Sequence, residues 1–162
     1  MSINLIVAMT KDRVIGLDNK LPWRIPDEMK NFKELTIGNT VIMGRNTYES
    51  IPEKYRPLPN RDNIVVSSQM NSHQSDYNGI IIVPSLREAI SRAKQINKEI
   101  FIMGGSKLYE SAIPFVDKMY ISMLKGDYKG NVYFPEIDMT QWDVEIKQRH
   151  PEFDLVLFSR MR

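Results

Sequence analysis

Short, continuously apolar runs constrain this chain most. They occur at Ile3–Met9, Thr40–Gly44, 63–67, 79–83, 99–103 and Lys118–Leu124, each rich in Ile, Val or Met. Runs of this length that do not alternate apolar with polar suit strands covered on both faces, as in a mostly parallel sheet flanked by helices. Helical stretches fall between several of them. Ser85-Leu86-Arg87-Glu88 has the spacing of a capping box, and Leu86, Ala89, Ile90 and Ala93 follow as one apolar face. Pro26 suits the first turn of another helix, where its missing N–H costs nothing, and that helix is expected to reach Thr36 before Gly38 ends it. A third, shorter helix is expected after Gly44.

The C-terminal part changes character. Segments 143–147 and Phe153–Arg160 pattern as strands around a turn at His150-Pro151, which predicts a closing antiparallel hairpin. Segments 10–20 and 69–78 are long and polar, and no repeat, low-complexity tract or linker divides the chain. The expectation is one α/β domain over residues 1–162, with ligands gathering at the carboxyl ends of the strands.

Composition narrows the partners. Twenty-two Lys and Arg against twenty Asp and Glu leave a formal charge of +2, scattered rather than gathered into a stripe, so nucleic acid is not an expected partner. The chain has no cysteine, which excludes disulfides and thiol chemistry and fits a reducing compartment. The N-terminus has neither a basic leader nor a small-residue cleavage site, and no apolar run reaches membrane-spanning length. The chain therefore reads as a soluble, cytoplasmic protein with no membrane partner.

Two adjacent acids, Asp27 and Glu28, lie in the first turn of the helix expected after Pro26. Acids there complement the helix dipole, which is reason enough for either. Helical spacing separates them, however. Asp27 is expected to share a solvent face with Asn31 and Glu34, whereas Glu28 aligns with Phe32 and Leu35. A carboxylate on an apolar face is costly unless something pairs with it, and a cationic or amidine-like ligand edge would do so.

Glycines and hydroxyls mark three strand ends. Met103-Gly104-Gly105-Ser106 follows one strand and opens a helix, Gly44-Arg45-Asn46-Thr47 repeats that geometry, and Ser67-Ser68 ends the next strand. Each taken alone is an ordinary turn, and neither G-x-G-x-x-G nor a P-loop is present. Together they suggest a site for a multiply charged phosphate ligand. Only His73 and His150 are present, both in expected loops, so no metal site and no nucleophile–histidine pair is expected and a cofactor must supply the reactivity. The ten methionines read as core gap-fillers.

In their order along the chain, Ile15-Gly16, Leu21-Pro22-Trp23-Arg24-Ile25-Pro26-Asp27-Glu28, Val41-Ile42-Met43-Gly44-Arg45-Asn46-Thr47-Tyr48-Glu49-Ser50-Ile51, Met103-Gly104-Gly105, Phe134-Pro135 and Trp142 resemble the dihydrofolate reductase family. The resemblance implies an eight-stranded sheet, parallel except for its last strand, with pterin and nicotinamide meeting in a central cleft. It also implies an NADPH-dependent hydride transfer to dihydrofolate, in a monomer. Glu28 falls on the family's active-site carboxylate, with Trp23 and Leu21 beside the reaction. Ile6, Val7, Met29, Phe32, Ile51, Leu58 and Met103 would line the substrate pocket, joined by Tyr109 and Ser122. Arg61 would pair with the substrate's glutamate carboxylate, bidentate in a way lysine could not copy.

For the cofactor, Arg45 and Ser68 match the contacts to the adenosine 2′-phosphate, which favours NADPH over NADH. Thr47 would support the nicotinamide side. Gly104 and Gly105 match a pair joined by a cis peptide. The resemblance extends the cofactor site to Ala8, Ile15, Gly16, Asn19 and Leu21, to Gly44, Asn46, Val66 and Ser67, and to Met103, Ser106, Lys107, Leu108 and Tyr109. The chain departs from the family's pattern at Asn131, where bacterial members commonly carry an aspartate that accepts hydrogen bonds from the loop around residues 15–21. Met103 stands where an aliphatic or aromatic residue is more usual, residues 52–55 lengthen one connection, and the hairpin around His150 is short. Two rival readings remain beside this one. A riboflavin-pathway reductase has a related fold and uses NADPH but lacks the tryptophan-and-acid helix, and a binding protein that had lost catalysis would have no need of Glu28.

Overall fold

The computed structural model describes residues 1–18, 20–69 and 79–161, so that Asn19, His73 and most of the polar segment 69–78 lie outside the described residues. In chain order the elements are β1 (Ile3–Met9), β2 (Val14–Gly16), α1 (Pro26–Thr36), β3 (Thr40–Gly44), α2 (Arg45–Ser50), β4 (Asp62–Val66) and β5 (Ile80–Val83). There follow α3 (Leu86–Ile96), β6 (Ile100–Ile102), α4 (Ser106–Ala112), β7 (Lys118–Leu124), β8 (Val132–Tyr133), β9 (Trp142–Arg149) and β10 (Phe153–Arg160).

Eight of the strands form one sheet in the order β5-β4-β3-β6-β1-β7-β10-β9. The pairs from β5 to β7 are parallel, while β10 runs antiparallel to both β7 and β9, so the last strand of the chain is the reversed one. Both the mostly parallel sheet and the closing hairpin agree with the expectation. The strands expected at 63–67, 79–83 and 99–103 are shifted or trimmed by a residue at their ends. The polar segment 10–20 differs more. It contains β2, which pairs antiparallel with β8 in a separate two-stranded ribbon. Strands of three and two residues are too short to carry a readable period, which is why the sequence shows only a polar connection there.

Alternation along β1 sends Leu5, Val7 and Met9 into one apolar cluster and Ile6 into another on the opposite face. Helices α3 and α4 cover the first face, with Ala89, Ala93 and Ala112 fully buried against the strands. Helix α3 starts as expected, Ser85 accepting from the Glu88 N–H at 3.2 Å, and ends at Asn97 in the left-handed region at φ 65°.

Helix α1 covers the second face through Phe32 and Leu35. Pro26 occupies its first turn, the N–H groups of Glu28 and Met29 both donate to the Ile25 carbonyl, and Gly38 at φ 78° takes the chain away after Ile37. One expectation is corrected here. Asn31 does not look at water beside Asp27; it is 8% exposed, on the buried side with Glu28 one turn back. At 100° per residue, Asn31 is three positions from Glu28 and four from Asp27, so the helical period alone leaves its face ambiguous.

Candidate active site

The first turn of α1 separates the two acids. Asp27 is exposed, whereas Glu28 is half-buried and its Oε1 accepts from the Ser122 hydroxyl of β7 at 3.4 Å. Burial pushes the Glu28 carboxyl above its usual range, and the Ser122 hydrogen bond opposes that in part. Trp23 is buried just before the helix, edge-on to Tyr128 at 5.4 Å between ring centroids. Its indole N–H is buried with no hydrogen-bond partner among the described residues, so a donor is held ready for a group from outside the chain. Leu21 and Met29 are 61% and 53% exposed, apolar side chains left uncovered on either side of Trp23 and Glu28 along the chain.

Behind Glu28 lies an apolar wall. Ile6, Phe32, Ile51, Leu58 and Met103 belong to one cluster on the α1 face of the sheet, with Val41, Met43 and Phe101 at its base. Val7 does not join this cluster: its side chain packs with Leu5 and Met9 on the other face of the sheet. Arg61 lies at the far end of α1. Its Nε donates to the Pro59 carbonyl and its Nη1 to Thr36 Oγ1, both at 3.0 Å, while Thr36 in turn donates to the Phe32 carbonyl at 2.8 Å. Partial burial lowers the Arg61 pKa from its ordinary value, though a guanidinium stays charged. Thr36 is a residue the sequence reading missed, because it touches Arg61 only across a separation of 25 positions.

The strand ends converge as the glycine pattern suggested. The Gly44 N–H donates to the Gly104 carbonyl at 2.9 Å, joining the ends of β3 and β6. The Gly104–Gly105 peptide is cis, as the resemblance implies, with Gly104 at φ 119°. A Cβ on Gly104 would stand 3.3 Å from the Tyr109 hydroxyl and 3.5 Å from Thr47 Oγ1. Tyr109 is fixed beneath, donating to the Ile6 carbonyl at 2.7 Å, and burial with the nearby charge of Glu28 raises its phenol pKa strongly. Neither α2 nor α4 has a side-chain cap, since glycine precedes each. Ala8 and Val66 are half-buried near the ends of β1 and β4, and Ser67 is half-buried and Ser68 exposed just beyond β4. In the first turns of the two helices, Asn46 and Lys107 are exposed, and Ser106 and Leu108 are half-buried.

Arg45 is clasped by Glu49 and Gln69, its Nε donating to Glu49 Oε1 at 2.5 Å and its Nη1 to Gln69 Oε1 at 2.8 Å. Glu49 was also missed, although its position four residues after Arg45 in a helix is a local signal for such a pair. Ile15 and Gly16 lie in β2, which pairs with β8 through Val14–Tyr133 and Gly16–Val132. A Cβ on Gly130 would come within 2.3 Å of the Gly16 carbonyl oxygen, so only glycine lets these segments meet. Asn19, expected at the cofactor, lies outside the described residues. A separate cavity of about 400 Å³, lined by Met9, Met123, Ile137, Met139 and Phe158, belongs to the opposite face of the sheet and holds none of these groups.

Residues 2–156 match the family described as dihydrofolate reductase. The chain is 40% identical over 140 residues to dihydrofolate reductase of Bacillus subtilis strain 168, covering 86% of this chain and 79% of the relative. It is 45% identical over 136 residues to the enzyme of Buchnera aphidicola subsp. Acyrthosiphon pisum, covering 84% and 80%. Its fold superposes with a TM-score of 0.84 and 32% identity on a solved dihydrofolate reductase from Enterococcus faecalis complexed with NADP(H) and RAB-propyl, covering 98% of this chain and 96% of that one.

Proposed function

The chain belongs to the dihydrofolate reductase family, and on that premise we infer that it reduces 7,8-dihydrofolate to 5,6,7,8-tetrahydrofolate with NADPH, supplying one-carbon metabolism and thymidylate synthesis. The observation that carries this reading is the half-buried Glu28 carboxylate, held by Ser122 beside an apolar wall and a pair of glycine-lined strand ends.

The residues present fit a dinucleotide phosphate. Arg45 offers a guanidinium and Ser67 and Ser68 offer hydroxyls at neighbouring strand ends, and a Cβ on Gly105 would find only Thr47 Oγ1 nearby, at 3.7 Å, so the backbone there is open to close approach. We assign the 2′-phosphate to Arg45 and Ser68, and the nicotinamide side to Thr47, Gly104 and Gly105. When bound, NADPH supplies the hydride that is delivered to pterin C6.

The chain's own residues bind, orient and protonate. Glu28 pairs with the 2-amino and N3 edge of the pterin, an amidine-like group whose charge-assisted hydrogen bonds add to the one from Ser122 and offset the cost of burying the carboxylate. Because burial raises its pKa, Glu28 exchanges a proton nearer to neutral pH than a surface glutamate does and supports protonation at N5. The unpartnered Trp23 N–H fits a bound water that carries this proton. Ile6, Phe32, Ile51 and Leu58 exclude bulk water, and Arg61, oriented by Thr36, receives the glutamate tail.

We propose that the chain works as a single-domain monomer in the cytoplasm, without nucleic acid; scattered charge and the absence of cysteine support this. Oxidation of NADPH followed spectrophotometrically, with and without dihydrofolate, tests the function directly. Oxidation that does not depend on dihydrofolate would defeat it.

A further inference from the structure

We propose that Glu49 is a specificity-determining residue that weakens the preference for NADPH over NADH by holding a negative charge against Arg45. The inference rests on the reading of Arg45 as the partner of the 2′-phosphate. Arg45 opens α2, and Glu49 lies four residues on, in the last turn. The Glu49 Oε1 accepts from Arg45 Nε at 2.5 Å, with the two side chains 43% and 40% exposed.

Helix stability gives little reason for a carboxylate at this position. An acid in the last turn opposes the helix dipole, and an acid placed C-terminal to its basic partner is the weaker order for such a pair. The Gln69 amide oxygen already holds Arg45 Nη1 at 2.8 Å, so a neutral side chain at position 49 could complete the clasp.

The carboxylate's consequence falls on the phosphate. A phosphomonoester carries a charge of about −1.5 to −2 at neutral pH, so it is attracted by Arg45 and repelled by Glu49. NADH presents a neutral hydroxyl there, so neither charge has an ionic partner at that position. Both charges therefore act on the one increment that distinguishes the cofactors, with opposite sign. Oxidised cofactor carries the same phosphate, so Glu49 loosens product as well as substrate.

The test is steady-state kinetics of the intact enzyme with NADPH and NADH, for wild type, Glu49→Gln and Arg45→Leu, with product inhibition by NADP⁺ and NAD⁺ alongside. Glutamine keeps an oxygen for Arg45 Nε and removes only the charge. Glu49→Gln should raise kcat/KM for NADPH about two- to fivefold, the range that exposed charge pairs support, with NADH unchanged. Inhibition by NADP⁺ should tighten by a similar factor and NAD⁺ should not change. The gain should shrink at about 0.5 M salt, because free charges are screened.

A fall or no change with NADPH, or equal changes with both cofactors, would overturn the proposal, the last by showing that Glu49 acts on the fold alone. Arg45→Leu separates the two levels. A loss confined to NADPH keeps Arg45 at the phosphate whatever Glu49 does, whereas equal losses with both cofactors remove that reading and this inference together.

Discussion

Asp18 and Asn131 exchange two hydrogen bonds: the Asp18 backbone N–H donates to Asn131 Oδ1 at 3.1 Å, and Asn131 Nδ2 donates to Asp18 Oδ1 at 3.0 Å. The Asn131 N–H also donates to the Gly16 carbonyl at 3.0 Å. The loop leading to Leu21 is thus pinned to residues 130–133 by a side chain that must both donate and accept.

An aspartate at 131 could keep the first bond but not the second, and it would face the Asp18 carboxylate. Asn131→Asp is therefore expected to harm this chain more than Asn131→Ala does, by about 0.5–1.5 kcal/mol in transition-state stabilisation, the scale of one hydrogen bond. Steady-state kcat/KM of both variants beside wild type decides it; an aspartate variant as active as wild type would show that the pairing does not govern the loop.

Glu28→Gln should lower the rate by about 10²–10⁴, with the residual activity rising as pH falls, because solvent then supplies the proton the side chain no longer delivers. Asp27→Asn should be nearly silent. Stability gives an independent check with a definite sign. Burial raises the Glu28 pKa above its usual 4.5, so the folded state holds the proton more tightly than the unfolded chain. That contribution is complete below the unfolded pKa and is lost as pH rises through the folded one. Glu28→Gln should accordingly melt above wild type at pH 7 and close to it near pH 4. A lower Tm for the glutamine variant at pH 7 would contradict the burial argument.

Arg61→Lys keeps the charge but loses the planar fork that Thr36 and the Pro59 carbonyl orient. The KM for dihydrofolate should rise about tenfold with kcat little changed, the cost of a charge-assisted hydrogen bond. Thr36→Val should move KM in the same direction by less. Equal KM values for dihydrofolate and for a substrate lacking its glutamate, in wild type, would remove Arg61 from the site.

Gly104 and Gly105 should respond differently to alanine. Gly104 has φ 119° and its Cβ would press within 3.3 Å of the buried Tyr109 hydroxyl, so Gly104→Ala should cost more than the ~1 kcal/mol of a typical point substitution. Gly105→Ala meets nothing closer than Thr47 Oγ1 at 3.7 Å, so its folding cost should be smaller and its effect should fall on NADPH affinity. Denaturant unfolding and cofactor titration of both variants separate the two effects, and similar folding costs would argue against the geometry.

Local periodicity and terminus chemistry are written in short stretches of chain, and these the sequence determined. The bounds of β1, β3, β7 and β10, the Ser85 cap and the end of α1 before Gly38 are all set by neighbours within a few residues. The separation of Glu28 from Asp27 follows from helical phase, whereas most of the other candidate site residues rest on family resemblance alone, since no local pattern singles them out. Tertiary structure decided the rest. Alternation puts Ile6 and Val7 on opposite faces, but which face meets α1 depends on where that helix packs. Asn31 stands within one turn of both acids, and only packing chose the buried side. The β2–β8 ribbon and the pairs Thr36–Arg61 and Asp18–Asn131 join residues far apart in the chain, through strands too short or side chains too isolated to leave a period. Such contacts form because the sheet brings their backbones together, and no local pattern encodes that distance.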